Sequence, residues 1–247
     1  MKKKNIYAET AVWTALVWTL SFVCYLPMLL ENNGAEVPKV LTAAKYFFVT
    51  VPLMLSVFFA AARGELKKWL AGMFTERIKI KSMVFCAATG AIGLAFSFAY
   101  SLIENENDLF AKNYPTFFSV IAGSAYLFVT ALAEESAWRG YLLSRLNDER
   151  KPFALIYTGI AWAVWHMPMW TIRNSLAFGE TAVYFVWTVL LSFVLGSFYL
   201  KYKNVMTAAL LHMLFNTCFI APVQWNVVLL GLTALATFVV TAVKKHR

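Results

Sequence analysis

The stretch TALAEESAWRGYLLSRL, residues 130–146, places two adjacent carboxylates, Glu134 and Glu135, and a guanidinium, Arg139, at the end of a long apolar run. A charge at the centre of a membrane-spanning helix costs about 2.5–3.5 kcal/mol on insertion scales, so each of these groups demands a partner or water. Glu135 and Arg139 stand four residues apart with the acid first, the favourable order for a helical ion pair. Glu134 lies about 100° around the helix from Glu135 and is left without a local counterion. A structural reading, in which all three sit near the watery end of a span, accounts for Glu135 and Arg139. For Glu134 it does not prevail over a functional one.

The surroundings identify the solvent. Hydrophobic residues make up 60% of the 247 and charged residues only 14%, and the mean hydropathy is +0.62, far from the balance of a soluble domain. Runs of about 20 apolar residues, the length that crosses hydrocarbon, fall at residues 10–30, 41–62, 83–103, 116–138, 152–172, 181–200, 205–222 and 223–242. The expected architecture is therefore all-α: a polytopic transmembrane helical bundle of about eight spans, forming a single integral membrane domain over residues 1–247. Basic residues collect in alternate connections: Lys2 to Lys4, then Arg63 through Lys81, then Arg145, Arg150 and Lys151, then Lys201 and Lys203, then the tail. The positive-inside rule puts these on the cytoplasmic side, with both termini, and the alternation requires an even number of spans.

Between the second and third spans, ELKKWLAGMFTERIKIK sets Leu66, Trp69, Leu70, Met73 and Phe74 on one helical face, with Lys67 and Lys68 around the other. This is the pattern of an amphipathic interfacial helix anchored to anionic headgroups. The net charge of +9 is thus mainly a topology signal, and no nucleic-acid motif accompanies it. Cys24, Cys86 and Cys218 are odd in number and lie inside apolar runs, as buried free thiols do. The first apolar run has no small-residue cleavage site after it and reads as a retained span.

Three histidines sharpen the reading of Glu134. His246 belongs to the basic tail KKHR, where solvation is expected, whereas His166 and His212 stand inside apolar runs. Pro168 follows His166 and tends to open or kink a helix, and Asn216 shares the His212 face at i+4. With a rise of 1.5 Å per residue, Glu134 lies about 18 Å from the cytoplasmic end of its helix, His166 about 21 Å, Asn216 about 18 Å and His212 about 12 Å. Four polar groups from three helices thus fall in one layer, as a shared water-filled cavity requires.

EESAWRGYLL (134–143), WAVWHMP (162–168) and LLHMLFN (210–216) resemble, in order, the three motifs of the CPBP intramembrane proteases, the family of the CAAX prenyl endopeptidases and the Abi-type bacteriocin-processing and self-immunity proteins. The similarity covers a protease-like core at about residues 116–220. Trp162 departs from the pattern, since the position four before the histidine is often Phe in the family, and the departure bears on pocket shape.

The resemblance implies an intramembrane endopeptidase that hydrolyses a membrane-associated peptide substrate, lipidated or C-terminal, in the plasma membrane of a prokaryote. Glu134, hydrogen-bonded through water to His166, would be the general base, His212 and Asn216 would donate to the oxyanion, and Glu135 and Arg139 would support the geometry. Glu134, His166 and His212 are alternatively a three-ligand zinc set. We favour the metal-free, cofactor-free version, because no ligand pair has HExxH spacing. A non-catalytic scaffold or immunity protein and a proton-coupled transporter using the buried acid compete with the enzyme. A lipid-modifying enzyme lacks any phosphate-gripping glycine loop in its favour.

Overall fold

In a computed structural model the described residues, 4–74, 77–106, 109–146, 151–228 and 231, contain helices and no strand. The helices are α1 (Lys4–Asn32), α2 (Lys39–Ala62, with a 3-10 stretch at Ala43–Thr50), α3 (Leu66–Phe74), α4 (Ile80–Ile103) and the short α5 (Leu109–Asn113). They continue with α6 (Phe117–Leu146), α7 (Lys151–Pro168), α8 (Phe178–Tyr202) and α9 (Val205–Cys218).

Five of them, α1, α2, α4, α6 and α8, are long and apolar enough to cross a membrane. Outward-facing Phe58, Phe98, Tyr126 and Val129 are all more than half exposed, as side chains that meet lipid rather than water must be. The chain is an integral membrane protein. Among the described residues five helices meet this measure of length and apolarity, where the apolar runs suggested eight spans. Helix α9 has 14 residues, about 21 Å of rise against a hydrocarbon core of about 30 Å, and α7 is not among the five. Most of the run at 223–242, the basic tail and His246 lie outside the described residues.

Small residues let the site-bearing helices approach closely. A Cβ added at Gly196 of α8 would stand 2.6 Å from Leu155 of α7, and one at Gly93 of α4 would stand 2.5 Å from the Phe219 ring that follows α9. Helix α1 is bound along α7 by polar contacts across an apolar seam: the Trp18 indole donates to the Ala161 carbonyl (2.9 Å), Tyr157 to Thr14 (3.1 Å) and the Trp165 indole to Ser21 (2.8 Å). Such bonds satisfy groups that hydrocarbon would leave unpaired.

One end of the bundle is closed by charge. Glu9 of α1 pairs with Arg63, accepts from Tyr141 (2.8 Å) and lies 3.7 Å from Arg145, which bonds Glu65 at 2.6 Å. That last hydrogen bond and the guanidinium charge hold the Glu65 carboxyl below the ordinary carboxylate range. Helix α3 joins the same end, its Trp69 donating to the Gly140 carbonyl (3.1 Å).

Candidate active site

Helix α6 begins at Thr116, whose hydroxyl accepts from the Ser119 N–H (3.0 Å) while the Ser119 hydroxyl accepts from the Thr116 N–H (3.1 Å), a reciprocal cap. It runs as regular α-helix to Glu135 and then as a π-helix over Ser136–Leu143. The two carboxylates therefore stand at the junction where the hydrogen-bond ladder changes pitch, a kind of local irregularity that recurs at functional sites. All eight residues of the π segment are buried.

The adjacent acids have different surroundings. Glu135 and Arg139 are both fully buried, and the Arg139 Nη1 donates to Glu135 Oε1 at 2.8 Å. Arg139 Nη2 reaches the Ser192 hydroxyl of α8 (3.0 Å), and the guanidinium lies 4.6 Å above the Trp162 ring. His212 of α9 places its Nδ1 3.0 Å from the same Glu135 oxygen. Glu135 thus joins α6 to α9 as well as to Arg139, an interhelical role that its i+4 spacing does not reveal.

Glu134 is buried too, with 7% exposure where Glu135 has none, and is the less enclosed of the two acids. Its Oε2 accepts the indole N–H of Trp162 at 3.0 Å. Trp162 therefore contributes a hydrogen-bond donor in addition to the pocket shape anticipated for it.

His166 is part-buried in an aromatic box. Its ring stacks on Trp170 (5.5 Å, 14°) and meets Trp162, Trp165 and Phe48 edge-on, while Phe48 stacks on Trp165 at 4.1 Å. Its Nδ1 lies 2.8 Å from the Trp162 carbonyl. A carbonyl only accepts, so Nδ1 carries the proton, and in the neutral form of the ring Nε2 is an acceptor. Helix α7 ends at Pro168 and continues as a π turn over Met169–Arg173, which carries the box residue Trp170. The proline that was expected to kink the helix here marks this change of ladder.

His212 is 4% exposed and faces the Trp162 ring edge-on at 5.3 Å. Asn216, one turn further along α9, is exposed. The structure thus brings Glu134, Glu135, Arg139, His166 and His212 together around Trp162.

Among the described residues no group of three or more His, Cys, Asp and Glu side chains stands close enough to hold a metal ion. Phe48, Trp165, Trp170 and Ser192 are site residues that sequence reasoning missed. The tryptophans flanking His166 in AWAVWHMPMW were a usable signal, whereas Phe48 and Ser192 lie in unremarkable apolar runs.

Cys24, Cys86 and Cys218 are free thiols. Residues 116–218 match the family model described as type II CAAX prenyl endopeptidase, Rce1-like. No curated protein matches the chain.

Proposed function

We propose, from the match of residues 116–218 to the type II CAAX prenyl endopeptidase Rce1-like model, that the protein is an intramembrane endopeptidase in which Glu134 activates water for attack on a peptide bond. The observation that carries this reading is the division of labour between the two acids. Glu135 is fully buried and engaged with Arg139 and His212, whereas Glu134 is slightly less enclosed and shares Trp162 with His166, the indole donating to Glu134 and the carbonyl accepting from the imidazole.

In this reading water lies between Glu134 and His166. Glu134 takes its proton, His166 Nε2 accepts its second hydrogen bond, and the resulting hydroxide adds to the scissile carbonyl. The proton on Glu134 then passes to the leaving amine. His212 is anchored through Nδ1 to Glu135, so donation from its Nε2 to the oxyanion requires the imidazolium form. That form balances the cluster: two carboxylates, one guanidinium and one imidazolium sum to zero in a region where a net charge is expensive. Asn216, one helical turn beyond His212, would supply a second donor. No step passes through a metal, and hydrolysis is expected to survive exhaustive chelation; loss on chelation with recovery on zinc alone would replace the mechanism.

The substrate class we propose is a membrane-associated peptide, lipidated or near its C-terminus, entering from the cytoplasmic side. The test is cleavage of matched peptides with and without a prenyl group by the purified protein in detergent; failure to cleave either would refute the reading. In the same assay Asn216→Ala is expected to keep residual turnover, about 10²–10³-fold down, as loss of one oxyanion donor does. A complete loss would give Asn216 a different role.

The orientation follows from charge: both termini are cytoplasmic, and α3 lies in the interface with Lys67 and Lys68 towards headgroups. Eight spans are retained as part of this proposal: the count needs α7 and the short α9 to cross in addition to the five, and its last run, 223–242, lies mostly outside the described residues. Single cysteines near Lys67, Lys151 and Lys201 are expected to label only from the cytoplasm, and one near Glu106 only from outside. Labelling of the Glu106 and Lys151 positions from the same side would invalidate the topology.

A further inference from the structure

We propose that Trp162 is a positioning residue whose indole N–H holds the Glu134 carboxylate in the orientation from which it takes the proton of water. The inference rests on the reading of Glu134 as the base and adds a requirement that the reading alone does not contain. Trp162 is 2% exposed and central to the cluster. Its Nε1 donates to Glu134 Oε2 (3.0 Å), its carbonyl accepts from His166 Nδ1 (2.8 Å), its ring carries the Arg139 guanidinium at 4.6 Å, and its edges meet both histidines. One residue thereby fixes the base by its side chain and the neighbouring histidine by its backbone.

Two of these functions need only an aromatic ring or a peptide group. The bond to Glu134 needs an N–H. A carboxylate without it can rotate about its last torsion, which is broad and roughly two-fold, and can turn towards the nearby Arg139 and His212 cations. With Oε2 held by the indole, Oε1 is the oxygen left to meet water. The donor therefore sets which oxygen acts and keeps the base turned away from the two cations that Glu135 contacts.

Two substitutions separate the donor from the bulk. Trp162→Phe keeps a six-membered ring but removes the N–H. Trp162→His removes more volume yet keeps a donor, because the imidazole Nε2 superposes on the indole Nε1. At pH 8, where a free imidazole is neutral, Trp162→Phe is expected to lower kcat about tenfold, the scale of one charge-assisted hydrogen bond, with KM within about twofold. Trp162→His is expected to recover most of that loss despite its poorer packing.

Wild-type kcat in Trp162→Phe, a change confined to KM, or a decline that follows side-chain volume with His below Phe would overturn the positioning role. Glu134→Gln, measured alongside, separates the two levels. If it is inactive while the Trp162 pair follows volume, only the positioning role falls; if it is fully active, the base and its positioning residue fall together. Unfolding temperatures of both Trp162 variants identify any loss that is merely structural.

Discussion

Glu134→Gln is expected to lose peptide hydrolysis while inserting and unfolding like the wild type. The change is isosteric, and the new amide carbonyl still accepts the Trp162 indole N–H that now bonds Oε2 at 3.0 Å. Helix α6 therefore keeps its contact with α7. What disappears is the basic oxygen. A positioned general base contributes about 10²–10⁴-fold, and in the proposed mechanism the same group also returns the proton to the leaving amine, so the loss is expected at or beyond the upper end. Turnover and thermal unfolding measured on the same preparation check both halves; a matching fall in stability would mean that Glu134 is structural.

Glu135→Ala is expected to have the opposite signature, a collapse in stability that takes activity with it. Glu135 Oε1 receives both Arg139 Nη1 (2.8 Å) and His212 Nδ1 (3.0 Å), and Glu135 and Arg139 are fully buried. Alanine removes the carboxylate that Arg139 pairs with and leaves its guanidinium in the bundle against Ser192 and the Trp162 face. Removing one partner of a buried ion pair costs about 3–5 kcal/mol, and the link between α6 and α9 is lost as well. Unfolding in detergent is the direct measurement. A variant with unchanged unfolding but reduced turnover would move Glu135 from support into the chemistry.

The contrast between these two acids shows what one sequence can and cannot convey. The ion pair of Glu135 with Arg139 was legible because helical geometry alone brings i and i+4 together. The pairing of Glu135 with His212 was not, since the two lie 77 residues apart and only the approach of α6 and α9 makes them neighbours. For the same reason Glu134 looked unpartnered. Its partner is a tryptophan on another helix, and an indole among apolar residues reads as packing until its N–H is seen to have a direction.

Helix as the only regular element was legible from apolar run lengths. The number of crossings was less so, because residues 205–222 are continuous in hydropathy but the helix stops at Cys218. The π segments at Ser136–Leu143 and Met169–Arg173 left no trace, since a shift from i−4 to i−5 bonding needs no particular side chain. Pro168 gave the position of the second and not its form. The Phe48 wall of the His166 box shows how residues outside the family match enter the site. Phe48 stacks on Trp165, which is itself tied to Ser21 of α1.

The central claim, that a glutamate inside the bilayer drives peptide hydrolysis, is tested most directly by mass analysis of a membrane-associated peptide incubated with the purified protein in detergent, with Glu134→Gln protein in identical micelles as the comparison. The account predicts two fragments from cleavage at one bond with the wild type and intact peptide with Glu134→Gln. Intact peptide in both samples, or the same fragments at the same rate in both, would contradict it.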